Sequence, residues 1–246
     1  MGDITGGFAG DEITGRLSSF QSLGAVDGPG LRCVVFLQGC PLRCAYCHNP
    51  ETWDPAGGAA CTVAALMARI RRYRSYLSAG GGVTVSGGEP LLQASFVAAL
   101  FRALQAEGYH TALDTSGAGD LAQAPEVLAH TDLVICDLKF PDAGRFRRYC
   151  RGELQRTLDF LSLTAQMRVP LWIRQVIVPG INDTPEDVLA LRAQALQYPN
   201  LQKLELLPFR RLCVDKYAQL GIPFPLVDTP ECPPETLARL QQLAAI

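Results

Sequence analysis

The sequence predicts an α/β fold: a partial, open parallel β/α barrel of about six βα units. Three observations carry that prediction. Short apolar runs of strand character alternate with longer helical patterns from residue 31 onward, and such alternation calls for a parallel sheet with right-handed crossovers. Six units fall short of the eight that close the usual barrel, which leaves the sheet open. The chemically suggestive residues follow strands rather than helices, as they do where βα loops converge over the C-terminal ends of parallel strands.

Taken in order, LRCVVFL (31–37) is the first strand candidate. A loop follows, then a helix from an N-cap at Thr62 through VAALMARIRRYRSYL, ended by Gly80, Gly81 and Gly82. VTVS (83–86) is the next strand and SFVAALFRALQAEGY the next helix, with Gly108 near its stop. HTALDT (110–115) reads as a strand, PEVLAH as a short helix and DLVICDLK (132–139) as a strand. A single helical stretch is expected over 142–166, then the strand LWIRQVIV (171–178), a helix over 185–198, the strand KLELLPF (203–209) and a final helix from Pro234.

At 246 residues and 48% hydrophobic, the chain is long enough for one substantial core and too apolar for disorder. The expectation is a single domain over 1–246, with the acidic, Gly-rich residues 1–14 as a flexible extension. That extension lacks the basic and apolar regions of a secretory signal, and no apolar run approaches the ~20 residues that span a bilayer. A net charge of -2 offers no electrostatic footprint for nucleic acid. The chain is therefore expected to be cytoplasmic and monomeric, with no nucleic acid and no membrane among its partners.

Nine cysteines, an odd number in a chain too large to need staples, read as reduced thiols rather than a disulfide framework. Three of them, Cys40, Cys44 and Cys47, crowd into eight residues. Three thiolates on a short loop suit a soft metal or an iron–sulfur cube. A structural zinc site would want a fourth ligand; His48 is too close to complete a relaxed tetrahedron and no later C-x-x-C follows. A cube held by three cysteines leaves one iron open to a small molecule, and an open position is what separates catalytic from structural metal sites. The other six, Cys33, Cys61, Cys136, Cys150, Cys213 and Cys232, read as packing thiols. The basic runs 69–74 and 145–151 read as solvated helix faces in preference to docking surfaces.

The C-x-x-x-C-x-x-C spacing, with Tyr46 before the last Cys, stands among further motifs. They include Asp27-Gly28-Pro29-Gly30-Leu31-Arg32, Tyr46-Cys47-His48-Asn49-Pro50, Thr52-Trp53-Asp54 and Ser86-Gly87-Gly88-Glu89. Leu113-Asp114-Thr115, Asp137-Leu138-Lys139, Trp172-Ile173-Arg174, Val178-Pro179-Gly180 and Glu205-Leu206-Leu207-Pro208 complete the set. Together, over roughly residues 15 to 243, they resemble the radical S-adenosylmethionine (SAM) superfamily, and within it the pyruvate formate-lyase activating enzymes.

That resemblance implies a single radical SAM domain in which Cys40, Cys44 and Cys47 ligate a [4Fe–4S] cluster and SAM chelates the open iron. Tyr46, Cys47 and His48 would line the adenine side, and Gly88 would contact the SAM amino group, since glycine lets backbone approach a ligand closely. Asp137 and Lys139, two apart on a strand end and so on one face around Leu138, would meet the ribose and carboxylate. Asp114 and Thr115 would help hold SAM or a monovalent cation, because oxygen ligands suit hard cations. Arg210 stands where the familiar pattern has a histidine that contacts SAM; it can donate to a hydroxyl or carboxylate but cannot accept. No side chain is expected to act as acid or base, since cluster and SAM carry the chemistry.

The implied activity is reductive cleavage of SAM to a 5′-deoxyadenosyl radical that takes hydrogen from a glycine of a glycyl-radical enzyme, with pyruvate formate-lyase the favoured partner and a flavodoxin or ferredoxin the electron donor. The Asp27-Gly28-Pro29-Gly30 turn would meet the partner's peptide. Rival readings are an activase of another glycyl-radical enzyme, a radical SAM enzyme acting on a deazapurine precursor, and a non-catalytic iron–sulfur sensor.

Overall fold

The computed structural model describes residues 13–77 and 80–246. Its strands are β1 (Thr14–Gly24), β2 (Arg32–Leu37), β3 (Ala59–Thr62), β4 (Gly82–Gly87), β5 (His110–Thr115), β6 (Leu133–Asp137), β7 (Leu171–Ile177) and β8 (Leu201–Pro208). The helices are α1 (Val63–Arg71), α2 (Arg74–Leu77), α3 (Ala94–Ala106), α4 (Ala124–Leu128), α5 (Ala143–Cys150), α6 (Leu154–Gln166), α7 (Pro185–Ala195), α8 (Val214–Gln219) and α9 (Pro234–Ala244).

All eight strands form one sheet in the order β3-β1-β2-β4-β5-β6-β7-β8. The six strands from β2 to β8 run parallel, so the expected open barrel of six βα units is present. β1 pairs antiparallel with β2, and β3 with β1, extending one edge. Along each strand alternate residues turn to opposite faces. Cys33, Val35, Val83, Val85, Leu113, Val134, Cys136, Leu171 and Ile173 join the core formed with the helices, while Ala112, Leu133 and Ile135 cluster with Trp172 on the other face.

Local signals set several boundaries. The Thr62 side chain accepts from Ala65 N at 3.1 Å and starts α1 as expected. Thr184 and Asp187 form a reciprocal capping box on α7. The helix expected over 142–166 is two helices instead. Arg151 adopts φ 55, a left-handed cap on α5, and a Cβ on Gly152 would lie 2.3 Å from Leu42 Cδ2. The break thus brings the end of α5 hard against the cysteine loop. β1, β3 and α8 were not expected; the expected extension over 1–14 lies outside the described residues except for its last two, of which Thr14 opens β1.

Beneath the sheet, the turn of residues 25–31 is tied down by a buried guanidinium. Arg32 is fully buried, and its Nε donates to Thr84 Oγ1 at 2.6 Å, Nη1 to Pro29 O at 3.0 Å and Nη2 to Val83 O at 2.8 Å. Thr84 Oγ1 in turn donates to Asp27 O at 2.6 Å. Gly30 sits at φ 66 with its α-carbon so near Gly80 that a Cβ would meet Gly80 O at 2.5 Å, so this turn needs glycine. Burial pulls the Arg32 pKa down to about 10. Nη2 also faces His110 Nδ1 at 3.2 Å, a contact that needs a neutral ring with Nδ1 as acceptor.

Burial, then the Arg32 charge, hold the His110 pKa below its usual 6.5. A base with a depressed folded-state pKa contributes stability that is present above its unfolded pKa and lost as pH falls below it. The urea midpoint is therefore expected to drop between pH 7.5 and 5.5, with a shallower drop in His110→Gln. An identical slope in that variant would assign the pH dependence elsewhere.

Candidate active site at the C-terminal rim

The cysteine loop leaves β2 at Leu37 and is fastened along its length. Gln38 Nε2 donates to Glu51 O and Asp54 O, both at 2.8 Å, and Gly39 N donates to Thr52 O at 2.7 Å. Farther along, Arg43 N donates to Cys150 O at 2.9 Å and Ala45 N to Tyr149 O at 2.7 Å, so the end of α5 clamps both sides of Cys44. Cys44 and Tyr46 are buried; Cys40 and Cys47 are half-buried.

All three thiols resist ionisation. Burial pushes Cys40 up to about 12 and Cys47 to about 11, while hydrogen bonding to Cys150, then burial, raises Cys44 well above the usual thiol range. Held as thiols, they are poor nucleophiles at neutral pH. A bound metal cation reverses that balance by deprotonating its coordinating thiols. Among the described residues no three Cys, His, Asp or Glu side chains are already drawn into a metal-holding cluster. The donor set nonetheless fits an iron–sulfur group: three soft sulfurs on one loop, with the charge to ionise them supplied by the group.

Gly87 and Gly88 press the β4 tip onto this loop. Gly87 adopts φ 126, and a Cβ on Gly88 would meet Gly39 O at 2.1 Å. Gly88 N donates to Leu37 O at 3.0 Å and Glu89 N to Gly39 O at 2.8 Å. The fully buried Glu89 carboxylate accepts from Thr115 Oγ1 at 2.5 Å, Ser116 N at 2.9 Å, Ser116 Oγ at 2.5 Å and Leu91 N at 3.1 Å. One side chain thus joins the tips of β4 and β5, while its own amide holds the cysteine loop.

Beside it runs a chain of charges. Asp114 accepts from Ser86 Oγ at 2.8 Å and from Arg174 Nη2 at 2.6 Å; Arg174 Nε reaches Asp137 at 3.3 Å, and Lys139 Nζ donates to Asp137 at 3.0 Å. Burial raises the Asp114 carboxyl. Burial opposes ionisation of Asp137 too, but Lys139 and Arg174 outweigh it and hold that carboxyl below its usual range. The Lys139 ammonium, disfavoured by burial, is held charged chiefly by Asp137. Two acids and two bases balance at these largely buried strand ends, a suitable setting for a zwitterionic ligand.

The structure thus brings Asp114, Asp137 and Lys139 together as the sequence suggested, with Lys139 Nζ 6.0 Å from the Tyr46 ring centroid. Leu138 is buried, and its carbonyl accepts from Gln175 Nε2 at 3.2 Å. The Asp114 oxygens already meet Ser86 and Arg174, and the Thr115 hydroxyl serves Glu89. Arg174 thus sets a positive charge against Asp114. Arg210 pairs with Glu231 at 3.0 Å, and its carbonyl accepts from the His48 ring Nε2 at 2.9 Å, joining the segment after β8 to the cysteine loop. Lys216 on α8 completes that join through Glu51 at 2.5 Å and Asn49 at 2.8 Å.

Cys150 is a buried packing thiol, as the sequence reading expected, and its place is against Cys44. The one available signal was its place four residues after Phe146, on the inward face of α5.

An open parallel barrel carrying a three-cysteine loop, a glycine-lined strand tip and a charged cluster on one rim is the arrangement of the radical SAM enzymes. Solved structures share the fold. A radical SAM methyltransferase from Sphaerobacter thermophilus aligns over 87% of this chain and 63% of its own at TM-score 0.61 and 16% identity. A domain of a pyruvate-formate lyase-activating enzyme from Bacteroides vulgatus aligns over 67% of this chain and 93% of its own at TM-score 0.56 and 23% identity. The family described as "4Fe-4S single cluster domain" matches residues 26–151.

The pyruvate formate-lyase-activating enzyme of Clostridium pasteurianum is 40% identical over 231 residues, 94% of this chain and 97% of that protein. The corresponding enzyme of Staphylococcus epidermidis is 44% identical over 225 residues, 87% and 88% of the two chains. The chain belongs to the pyruvate formate-lyase-activating enzyme family.

Proposed function

We propose that this chain activates pyruvate formate-lyase by placing a radical on one of its backbone glycines. The observation that carries this reading is the relationship to activating enzymes over 94% of the chain, joined to a rim where the cysteine loop, the Gly87-Gly88-Glu89 tip and the strand ends with Asp114, Asp137 and Lys139 converge. Held by Cys40, Cys44 and Cys47, a [4Fe–4S] cluster would supply the one-electron reduction of SAM on which removal of the glycine hydrogen depends.

The residues of the rim divide the remaining work. Cys40, Cys44 and Cys47 hold the cluster. Gly88, with no side chain in the way, offers its carbonyl to the SAM ammonium. Lys139 and Asp137 take the carboxylate and ribose, and Tyr46 and His48 border the adenine. The fastened loops fix this geometry and keep water from the cleft, which is the protein's share of a cofactor reaction. Arg210 approaches SAM from the segment after β8, steadied by Glu231. An acidic one-electron carrier such as flavodoxin or ferredoxin reduces the cluster, and the chain works as a cytoplasmic monomer. Among the described residues no helix is long and apolar enough to cross a membrane.

The test is anaerobic. The reconstituted protein, reductant, SAM and pyruvate formate-lyase are expected to give a glycyl-radical doublet in the electron paramagnetic resonance spectrum together with 5′-deoxyadenosine. Deoxyadenosine without the doublet would move the acceptor to another glycyl-radical enzyme or a small molecule. Neither signal from cluster-loaded protein would overturn the reading.

A further inference from the structure

The two basic runs of the sequence fall on helices that the fold treats differently. Around α1 and α2 three of the four guanidinium groups are engaged, all but that of Arg72. Arg69 lies 4.0 Å over the Phe20 ring, Arg71 and Arg74 both pair with Glu107, and Arg74 also lies 4.9 Å over Tyr109. On α5 only Arg145 has an acid, Asp187 of α7. Arg147, Arg148 and Arg151 are exposed, and among the described residues none of them has a carboxylate at ion-pair distance; Arg148 lies 5.2 Å over its neighbour Tyr149. By helical spacing Arg147 flanks the inward stripe of Phe146 and Cys150 and Arg148 lies on the outward side, while Arg151 caps the helix in the left-handed conformation.

The position of these arginines matters as much as their charge. The last turn of α5 is the segment whose carbonyls, at Tyr149 and Cys150, accept from Ala45 N and Arg43 N on either side of Cys44. The buried Cys150 thiol touches Cys44. The turn that carries these three cations is therefore the one that clamps the middle cysteine of the loop. Cations near a helix C-terminus gain from the helix dipole, but that does not account for a mostly engaged α1–α2 run and a mostly unpaired α5 run in a chain whose net charge is -2.

We propose that the Arg147, Arg148 and Arg151 face of α5 is the docking surface for the electron donor, an acidic one-electron carrier protein. The assignment rests on the reading of the cysteine loop as the cluster site. In the step it serves, the donor's cofactor loses one electron and the cluster gains it; no bond forms or breaks. Opposite charge accelerates such encounters and makes their rate depend on salt, and the hydrogen-bonded contact between α5 and the loop gives a short route inward.

The experiment uses cluster-loaded protein and photoreduced flavodoxin as the donor, with dithionite as the small-molecule control. In the triple variant R147E/R148E/R151E, flavodoxin-driven cluster reduction at low salt is expected to fall at least about tenfold and to lose most of its salt dependence. Dithionite-driven reduction and SAM cleavage should keep wild-type rates, and Arg72→Glu on the other basic run should behave as wild type. An unchanged flavodoxin rate would overturn the proposal. Equal loss with dithionite would overturn it too, by making the arginines supports of the cysteine loop. So would a dithionite-driven glycyl-radical yield that falls with the triple variant, which would give the face to the radical acceptor. A wild-type protein that takes up no cluster would instead sink the underlying functional reading.

Discussion

Cys44→Ala is expected to lose the iron–sulfur cluster and with it all SAM cleavage, while the chain stays folded. Among the three loop cysteines Cys44 is the buried one, clamped by two main-chain hydrogen bonds to α5. Ala in its place removes one sulfur from the core, a packing loss of about 1 kcal/mol, so circular dichroism and the urea midpoint should move little. Two thiols cannot hold a cube that needs three, so iron and sulfide per chain should fall to background together with 5′-deoxyadenosine. Cys150→Ala is the contrast. That thiol touches Cys44 without standing in the C-x-x-x-C-x-x-C pattern, and loss of such an outer partner costs about 10–100-fold in affinity or activity. Full cleavage by Cys44→Ala would overturn the ligand assignment. Retained iron in Cys44→Ala that disappears in Cys44→Ala/Cys150→Ala would show the neighbouring thiol stepping in.

What the sequence made legible followed from burial. β2, β4, β5, β6 and β7 are covered on both faces or nearly so; β2 and β6 read as near-continuous apolar runs, and β4, β5 and β7 as shorter apolar stretches between turn residues. β1 and β3 sit at the edge with mixed exposure, carry no such run, and passed as loop. The break at Arg151 was hidden because helical periodicity continues through it; its cause is contact with Leu42, more than a hundred residues earlier in the chain. The site divides the same way. Motifs singled out Cys40, Cys44, Cys47, Gly88, Asp137 and Lys139, and these residues all lie at or beyond the C-terminal ends of strands. Arg174 as the link between Asp114 and Asp137, Cys150 against Cys44, and Glu231 under Arg210 are relations across strands and loops. No local spacing encodes them.

The second large effect concerns Glu89, whose role is structural despite its place in the motif. A carboxylate with no exposure is costly on its own, and burial raises its pKa above 4.5, yet four donors converge on it. Gln at this position keeps one acceptor but turns an amide NH₂ toward the Ser116 N–H or the Thr115 hydroxyl. Each donor left unmatched in the interior costs about 1–3 kcal/mol, and breaking a buried charged network costs about 3–5 kcal/mol. Glu89→Gln should therefore lose about 3 kcal/mol of stability, and Glu89→Ala more, read as a fall in the urea midpoint. The damage is expected to spread to the site, because the Glu89 amide holds Gly39 O and Gly88 packs on the same carbonyl. Cluster-loaded Glu89→Gln should consequently bind SAM more weakly even where it remains folded. Thr115→Val and Ser116→Ala each remove a donor while sparing the carboxylate, and should reproduce part of the stability loss. If Glu89→Gln unfolds within about 1 kcal/mol of wild type, the scale of one ordinary hydrogen bond, the carboxylate is not what holds the strand tips together.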